Sequence, residues 1–150
     1  MRQMRNKTIL LVEDNPDDRD LTVDAFKHAK ISNLINAVCD GAEALDYLFG
    51  TGAYAVRDLN TMPTLVLLDL NLPKVDGLEV LRRVRADPRT KMLPVIMLTS
   101  SQEQEEVVKA YETGCNGYVR KPVDSEQFRK AVNELGLFWL IHNVPPPECG

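Results

Sequence analysis

Residues 64–77 have the sequence Thr-Leu-Val-Leu-Leu-Asp-Leu-Asn-Leu-Pro-Lys-Val-Asp-Gly, and the rest of the chain can be interpreted outward from this stretch. Within it, the apolar run Leu65–Leu68 leads without a break into Asp69. A short, unbroken apolar run that is rich in Leu and Val and is followed by Pro and Gly is typical of a strand buried on both faces. Asp69 is therefore expected where the strand ends and solvent begins.

Two other apolar runs end in polar residues in the same way. Ile9–Val12 leads into Glu13 and Asp14, and residues 95–98 lead into Thr99 and two serines. In open α/β sheets, ligands bind outside the carboxyl ends of the strands. The three runs therefore predict one polar site at one edge of a parallel sheet.

The composition is that of an ordinary globular protein with enough apolar residues to form a core. The chain has 150 residues, of which 44% are hydrophobic and 27% are charged, and this suits one domain. Its net charge of -4 argues against direct binding to nucleic acid, since duplex-binding domains present a basic face. The three cysteines form no CxxC pair, and no apolar run reaches the length of a membrane span. A cytoplasmic protein without membrane contact is therefore expected.

Apolar periodicity and turn residues predict five strands that alternate with five helices. For example, Leu21, Ala25 and Phe26 recur at helical spacing, and Asp40 is placed to cap the helix that follows it. Repeated βα units predict a parallel sheet with helices on both faces. The predicted strands span residues 8–12, 34–38, 64–68, 94–98 and 117–120, and the predicted helices span residues 17–29, 41–49, 78–86, 102–113 and a segment that begins after Asp124.

The predicted edge brings together residues that suit phosphoryl chemistry. Glu13, Asp14 and Asp69 would repel one another unless a cation lay among them, and hard oxygen ligands of this kind suit Mg²⁺. A carboxylate can act as a nucleophile toward phosphorus and form an aspartyl phosphate. Lys121 follows a strand at the same edge and is placed to pair with a phosphate or with Asp69. Thr99 is placed to donate its hydroxyl to a phosphate oxygen.

The candidate site residues stand in a set order at the ends of the strands. In chain order they are Glu13-Asp14, Asp69, Thr99-Ser100 and Lys121-Pro122. This set, with the Asn-Leu-Pro-x-x-Asp-Gly loop after the central aspartate, resembles the receiver domain of two-component response regulators. The resemblance covers residues 7–141, leaves residues 142–150 as a short C-terminal tail and predicts no output domain. It implies a flavodoxin-like α/β fold, in which a doubly wound five-stranded parallel sheet has strand order 2-1-3-4-5 and helices on both faces.

The resemblance implies a role for each matching residue at the predicted site. Asp69 would be the phosphoacceptor, phosphorylated by a sensor histidine kinase. Asp14 would bind Mg²⁺ directly, Glu13 would bind it directly or through water, and the backbone carbonyl of Asn71 would complete the protein ligands. A receiver of this kind signals by protein contact and is not a conventional enzyme, although it assists its own phosphorylation and dephosphorylation with Mg²⁺.

The resemblance also implies a switch near the phosphoacceptor. Lys121 would contact the phosphoryl oxygens, and its bond to Pro122 would be cis. Thr99 would swing toward the phosphate, and Tyr118 would change rotamer with it, which makes a small bistable switch biased by a new charge. From its own sequence context, Tyr118 can also be interpreted as a half-buried tyrosine with its hydroxyl in water.

Other acidic residues near these strands have simpler interpretations. Asp17, Asp18 and Asp20 favour the positive end of a helix and receive no role at the site. Asp76 and Gly77 are interpreted as turn residues. These five residues are therefore expected to shape the chain locally, without taking part in phosphoryl chemistry.

Three features outside the site narrow the resemblance. They are the long connection at residues 50–62, the Leu-Phe-Trp-Leu end of the last helix at residues 137–140, and the Pro-rich tail that begins at residue 144. Together they resemble the stand-alone response regulators found beside bacterial and cyanobacterial phytochromes. The resemblance implies a small receiver that has no output domain, works with a phytochrome and forms a dimer.

The end of the last helix is more apolar than a surface helix needs to be. Residues 137–141 are five consecutive apolar residues, which on a helix must point in every direction. A surface helix normally shows only an apolar stripe, so another surface must cover the excess. One interpretation is a homodimer through the fourth helix, the fifth strand and the last helix, a face that would also be the output surface. The other is that the tail at residues 145–147 folds back over the helix.

Two rival functions make different demands on the same residues. An Asp-nucleophile phosphohydrolase can be built on a similar sheet, but such enzymes need a second Asp two residues after the nucleophile, where this chain has Asn71. A degenerate receiver that serves only as a binding module would lack a site residue, and none is missing here. The expected function is therefore that of a single-domain response regulator in a two-component phosphorelay.

Overall fold

A computed structural model describes residues 8–28, 35–57, 62–100, 103–121 and 125–136. Within these ranges, five strands alternate with five α-helices, and each bound lies within two residues of the predicted one wherever both fall inside the ranges. The strands are β1 (Ile9–Val12), β2 (Ile35–Val38), β3 (Leu65–Leu68), β4 (Val95–Thr99) and β5 (Gly117–Arg120). The α-helices are α1 (Pro16–His28), α2 (Gly41–Phe49), α3 (Gly77–Ala86), α4 (Gln104–Thr113) and α5 (Ser125–Gly136).

The five strands form one parallel sheet with the order β2-β1-β3-β4-β5, as predicted. β1 lies next to β3, with Val12 opposite Leu68, and the direction in which the chain adds strands reverses between these two. In such sheets a ligand-binding crevice opens at the point of reversal, outside the carboxyl ends of the strands. Glu13 and Asp69 directly follow Val12 and Leu68, so both lie at this crevice.

Apolar side chains cover both faces of the sheet, because alternate residues of each strand point to opposite sides. On one face, strand residues pack against α2, α3 and the buried Ala110 of α4. On the other face, they pack against Ala25 and Phe26 of α1, and α1 itself packs against α5. All residues of β1 and β3 are buried, and each fully buried Leu or Ile stabilises the fold by about 1.5–3 kcal/mol. Burial on both faces explains why the sequence shows unbroken apolar runs.

Two helices begin at aspartate caps beside the carboxyl edge of the sheet. The Asp40 side chain accepts a hydrogen bond from the backbone N–H of Glu43 at 2.7 Å, as predicted for a helix cap. The Asp76 side chain accepts from the backbone N–H of Glu79 at 2.9 Å, and α3 begins at Gly77. The interpretation of Asp76 as a simple turn residue is therefore wrong, because its side chain caps α3.

Residues 50–57, the first part of the predicted long connection, pack on α2. The Tyr54 hydroxyl donates to the Glu43 carboxylate at 2.8 Å, and this hydrogen bond raises the pKa of Tyr54 to about 12. The Arg57 side chain donates to the Tyr47 carbonyl oxygen at 2.6 Å, and its guanidinium lies over the Tyr47 ring. A short 3₁₀ helix, Gly52–Tyr54, turns the chain here. Polar and aromatic contacts with α2 therefore fix the course of a segment that has no periodicity of its own.

Some of the expectations from sequence concern residues outside the described ranges. They are the cis bond to Pro122, the helix cap at Asp124, the apolar end of the last helix at residues 137–141 and the tail at residues 142–150. Within the ranges that the structure describes, no helix has the length and apolarity that crossing a membrane requires.

Candidate functional site

Three carboxylates meet at the crevice between β1 and β3. Glu13 and Asp14 follow β1, Asp69 follows β3, and one oxygen of each lies within 4.8 Å of the others. Glu13 and Asp69 are only 1% and 7% exposed, whereas Asp14 is exposed. The backbone N–H of Asp69 donates to the Val12 carbonyl oxygen at 3.2 Å, and that of Glu13 donates to Val38 at 3.1 Å. These bonds extend the sheet by one residue and hold both carboxylates at its edge.

Lys121 follows β5 and reaches along the edge to the same carboxylates. Its ammonium donates to Asp69 Oδ2 at 3.1 Å, to Asp18 Oδ2 at 3.0 Å and to Glu13 Oε1. Its side chain is mostly buried, and its backbone N–H donates to the Thr99 carbonyl oxygen at 2.8 Å. An ammonium has three donors, so each has one carboxylate partner here. The structure thus brings Lys121 into contact with Asp69, the predicted phosphoacceptor.

Asp18 is a partner of Lys121 that sequence reasoning misses. The interpretation of Asp18 as a residue that only favours a helix start is wrong, because its carboxylate accepts a hydrogen bond from Lys121. Asp18 lies in the first turn of α1, and the connection from β1 to α1 is so short that this turn stays at the carboxyl edge. The short connection from β1 to α1 is therefore the feature of the sequence that indicates that the first turn of α1 lies near the site. Asp17 and Asp20 are exposed, in agreement with their predicted position at a helix start.

The candidate site carries more negative than positive charge. Four carboxylates, those of Glu13, Asp14, Asp18 and Asp69, lie around the ammonium of Lys121. Burial raises the pKa of Glu13 to about 7, with a further contribution from the charge of Asp69, although the hydrogen bond from Lys121 opposes the rise. Burial acts to lower the pKa of Lys121, but its contacts with Glu13 and Asp69 outweigh burial and raise it. The ammonium therefore stays charged at neutral pH, and the excess of negative charge suits a bound cation.

The donors at this edge fit a small, hard divalent cation. The group formed by Glu13, Asp14 and Asp69 offers carboxylate oxygens, which are ligands that Mg²⁺ and Mn²⁺ both accept. Asn71 lies in the loop after Asp69, and its backbone N–H donates to Asp69 Oδ1 at 3.4 Å. This bond keeps the start of the loop beside the carboxylates, where a ligand from the backbone is predicted.

Thr99 and Tyr118 lie on one face of the sheet, near Lys121. Thr99 ends β4 and is fully buried, and Tyr118 in β5 lies opposite Met97, two residues before Thr99. Strand residues two positions apart point to the same face, so Thr99 shares a face with Met97 and Tyr118. Tyr118 is half-buried and packs against the apolar cluster on that face. The coupled movement of Thr99 and Tyr118 stays a prediction.

The start of α3 packs directly against the backbone of Asp69. The backbone N–H of Gly77 donates to the Leu70 carbonyl oxygen at 2.9 Å. A Cβ atom added to Gly77 would lie 2.1 Å from the Asp69 carbonyl oxygen, so only glycine fits without a shift of the helix. Sequence reasoning assigns this glycine to turn chemistry alone, because its contact with Asp69 depends on how α3 docks against β3. Gly77 is thus a further residue that positions the candidate phosphoacceptor.

Comparison with known families identifies the family to which this fold belongs. The family model of the response regulator receiver domain matches residues 9–133. This chain belongs to that family. The match includes every residue of the sheet and all of the carboxylates around Lys121, so the predicted family and fold class are confirmed. The family consists of signalling receivers and not of conventional enzymes.

Proteins similar to this receiver include response regulators of phytochromes. Response regulator Rcp1 of Synechocystis sp. is 37% identical over 134 residues, which cover 89% of each chain. Its Mn²⁺-bound structure aligns at 36% identity with a TM-score of 0.85, over 94% of this chain and 99% of that one. The phosphorylated cyanobacterial phytochrome response regulator RcpA aligns at 37% identity with a TM-score of 0.86, over the same shares. The bacteriophytochrome response regulator RtBRR is 52% identical, with a TM-score of 0.75 over 94% of this chain and 84% of that one.

Proposed function

We propose that this receiver accepts a phosphoryl group on Asp69 from the phosphohistidine of a sensor kinase. One observation carries the proposal. The Asp69 carboxylate lies at the carboxyl edge of the sheet, in contact with the Lys121 ammonium and within 4.8 Å of carboxylate oxygens of Glu13 and Asp14. This arrangement combines a nucleophile with groups that can neutralise a transferring phosphoryl group.

The proposed reaction moves one phosphoryl group onto the protein. A carboxylate oxygen of Asp69 forms a bond to phosphorus while the bond between phosphorus and the histidine nitrogen of the kinase breaks. The electron pair of the broken bond stays on the imidazole, which takes up a proton from solvent. The product is an aspartyl phosphate, whose added negative charge lies beside Lys121.

The metal proposed for this site is Mg²⁺, held by Glu13, Asp14, Asp69 and the backbone carbonyl of Asn71. When bound, it neutralises charge on the phosphoryl oxygens and on the carboxylates. Two observations support the assignment: the donors are oxygens, and the site has an excess of negative charge. The related Rcp1 has a Mn²⁺-bound structure, which supports the same class of cation.

Lys121 and Thr99 are proposed to bind the phosphoryl oxygens once Asp69 is modified. The ammonium lies 3.1 Å from Asp69 Oδ2, so a small movement brings it to a group attached there. The hydroxyl of buried Thr99 is a neutral donor at the end of the neighbouring strand. Tyr118, on the same face of the sheet, is proposed to change rotamer with Thr99 and so to carry the change to the surface.

A phytochrome-related histidine kinase is the proposed phosphodonor, and protein contact is the proposed output. The names of RcpA and RtBRR, which link both proteins to phytochromes, support this class of kinase. α4 exposes about half of Val108 and Tyr111, which supports a homodimer through α4, β5 and α5. The proposal includes a receiver over residues 7–141, a short tail over residues 142–150 and a cytoplasmic location. The net charge of -4 supports the expectation that the protein does not bind nucleic acid.

Phosphorylation of Asp69 can be tested by intact mass spectrometry. The protein is incubated with acetyl phosphate and Mg²⁺, with Asp69→Asn as the matched control and with a chelator added first in a parallel sample. We expect the mass of one phosphoryl group to appear on the wild type alone and to be absent from the chelated sample. No gain from acetyl phosphate or from any of a panel of histidine kinases would overturn the proposal and favour a receiver that serves only as a binding module.

The phytochrome link is tested by comparing phosphodonors. Transfer to the wild-type protein is followed from an autophosphorylated bacteriophytochrome kinase and from histidine kinases of other sensor classes. Faster transfer from the phytochrome kinase, abolished in Asp69→Asn, supports the link. Equal rates from all kinases would contradict it without affecting the assignment of Asp69.

A further inference from the structure

Asp18 contacts Lys121 but stands apart from the carboxylates that can share a metal ion. Its Oδ2 atom lies 3.0 Å from the ammonium, as close as the 3.1 Å of Asp69 Oδ2. Among the described residues, the carboxylates near enough to one another to hold a cation are Glu13, Asp14 and Asp69, without Asp18. The Asp18 side chain is 38% exposed, whereas those of Glu13 and Asp69 are almost completely buried. The proposed function alone gives this contact no role.

A hydrogen-bonded turn presents the Asp18 carboxylate to Lys121. The backbone N–H of Asp18 donates to Asn15 Oδ1 at 3.1 Å, and its carbonyl oxygen accepts from the hydroxyl of buried Thr22 at 2.8 Å. The main chain of Asp18 is therefore held on both sides. Its carboxylate can meet Lys121 without the entropy loss that ordering a loose segment would require.

A bound cation competes with Lys121 for two of its three partners. Glu13 and Asp69 are proposed metal ligands, so their oxygens would be shared between the metal and the ammonium, which also repel each other. A phosphoryl group on Asp69 would further reduce the charge that its carboxylate offers to Lys121. Asp18 lies outside the metal group and keeps a full carboxylate for Lys121 in both cases.

We infer that Asp18 is a positioning residue for phosphoryl transfer, which holds the Lys121 ammonium at the site while the metal and the phosphoryl group occupy Glu13 and Asp69. The inference rests on the proposed function, in which Lys121 binds the phosphoryl oxygens. Asp18 acts through Lys121 and does not contact the reacting atoms. In its absence, repulsion by the cation moves the ammonium toward solvent, and less positive charge faces the phosphoryl group in the transition state.

Asp17 provides a matched control in the same turn. Its backbone N–H donates to Asn15 Oδ1 at 2.8 Å, as that of Asp18 does, but its side chain is exposed. The carboxylates that Lys121 contacts are those of Glu13, Asp18 and Asp69. Asp17→Asn and Asp18→Asn therefore change the net charge and the interaction with the helix dipole alike. Only Asp18→Asn also removes a charged contact with Lys121.

The rate of phosphorylation by acetyl phosphate at saturating Mg²⁺ measures the effect of this contact. We expect Asp18→Asn to slow phosphorylation about tenfold, and Asp17→Asn to stay within about twofold of the wild type. Asp18→Ala, which also removes the oxygen acceptor, should be slower than Asp18→Asn. In a Lys121→Met background, Asp18→Asn should have no further effect, because Asp18 acts through the ammonium.

A second measurement tests the contact without phosphorylation. Nitrogen-15 NMR follows the ammonium of Lys121 in the Mg²⁺-loaded protein, and the exchange of its protons with water is the readout. We expect exchange to become several-fold faster in Asp18→Asn, because one of the three donors loses its charged acceptor. Asp17→Asn should leave the exchange rate unchanged.

The outcomes separate this inference from the proposed function. Equal phosphorylation rates in Asp17→Asn and Asp18→Asn would overturn the inference alone, and so would an effect of Asp18→Asn that persists in the Lys121→Met background. No mass gain in the wild type from any donor would overturn the proposed function, and the inference with it. A slow Asp18→Asn variant that unfolds at the wild-type temperature and shows faster ammonium exchange would support the inference.

Discussion

Arg85 and Lys121 are cations at opposite edges of the same sheet, and their partners differ in charge. At the amino edge, the Arg85 guanidinium donates to the carbonyl oxygens of Gly114 at 2.8 Å and Leu93 at 2.7 Å. It also donates to Asn116 Oδ1 at 2.8 Å, so these acceptors are neutral. At the carboxyl edge, the Lys121 ammonium donates to three carboxylates.

This difference separates a structural edge from the edge at which phosphoryl transfer is proposed. Neutral acceptors satisfy the fixed fork of donors on Arg85 but offer no negative charge to which a cation could bind. Burial lowers the pKa of Arg85, whereas Lys121 is buried too but has its pKa raised by Glu13 and Asp69. The carboxylates around Lys121 leave an excess of negative charge that a cation can neutralise. Arg85 thus holds loops together at one edge of the sheet, and the other edge keeps an excess of negative charge that suits a bound cation.

Removal of Arg85 should cause the largest loss of stability. Arg85→Ala leaves the carbonyl oxygens of Leu93 and Gly114 without this donor, so we expect the free energy of unfolding to fall by about 3 kcal/mol. Arg85→Lys should recover little of the loss, because an ammonium cannot reproduce the fork of donors. Urea unfolding followed by circular dichroism measures both variants.

The control for this prediction is Arg83→Ala, which removes an exposed arginine from the same helix. Its free energy of unfolding should stay within about 0.5 kcal/mol of the wild-type value. Folded Arg85→Ala should accept a phosphoryl group at the wild-type rate, because the carboxyl edge is unchanged. If Arg85→Ala were as stable as Arg83→Ala, the guanidinium would not be fixing the amino edge. If its phosphorylation were lost, the two edges would not be independent.

Gly77 tests how tightly the backbone at the carboxyl edge is packed. A Cβ atom at Gly77 would lie 2.1 Å from the Asp69 carbonyl oxygen, so we expect Gly77→Ala to lower the free energy of unfolding by about 2 kcal/mol. Phosphorylation should also slow, because α3 must move away from Asp69. Gly117→Ala is the control, since its Cβ would meet Cδ1 of the Ile96 side chain at 2.9 Å, and this atom can shift. If urea unfolding showed the same loss of stability in Gly77→Ala and Gly117→Ala, the close contact between Gly77 and the backbone of Asp69 would not matter more than an ordinary side-chain contact.

The carboxyl edge is easier to predict from sequence than the amino edge, for a physical reason. Glu13 and Asp69 each follow an unbroken apolar run, and burial on both faces makes such a run recognisable without a structure. Asp18 is not recognised because its position at a helix start already accounts for it locally, and its contact with Lys121 joins residues 103 apart. Arg85 is not recognised because its acceptors are backbone and amide oxygens in loops, which leave no pattern in the sequence.

The order of strands and helices follows from periodicity, whereas the course of residues 50–57 does not. The contacts that fix this segment are the Tyr54 hydroxyl on Glu43 and the Arg57 guanidinium on Tyr47. Each joins a residue of the segment to one on α2, and neither repeats at a regular spacing. Such contacts depend on the docked geometry of α2, which sequence patterns do not specify.

Mg²⁺ should stabilise the folded protein through the carboxyl edge. A metal that binds only the folded state raises the free energy of unfolding by about 1.4 kcal/mol at ten times its Kd. Asp14→Asn removes an exposed member of the proposed ligand set and should reduce this gain, whereas Asp17→Asn should retain it. Urea unfolding with Mg²⁺ and with a chelator measures the gain in each variant. Equal gains in both would mean that the cation acts on general surface charge.

Glu79 is a partly exposed counterpart of Glu13, and its surroundings shift its pKa in the opposite direction. Hydrogen bonds from Arg82 and Arg83 lower the pKa of Glu79 to about 2, whereas burial raises that of Glu13 to about 7. Because the pKa of Glu79 is lowered in the folded protein, its carboxylate stabilises the fold at pH values above its ordinary pKa of 4.5. This contribution is lost as the pH falls through about 2. At neutral pH, Glu79→Gln should have the smallest effect on stability of these variants, because solvent screens exposed ion pairs.

Carbon-13 NMR of the glutamate carboxyl groups measures both pKa values in one titration of the metal-free protein. The signal of Glu79 should remain that of an ionised carboxylate at pH values well below its ordinary pKa of 4.5. In the double variant Arg82→Ala/Arg83→Ala, the midpoint of its titration should return to the ordinary value. The signal of Glu13 should titrate near neutral pH. Addition of Mg²⁺ should shift the midpoint of this titration to lower pH, because a nearby cation favours the charged form of the carboxyl group. A Glu13 midpoint at or below 4.5 without metal would contradict this prediction, because it would mean that burial and the charge of Asp69 do not outweigh the contact with Lys121.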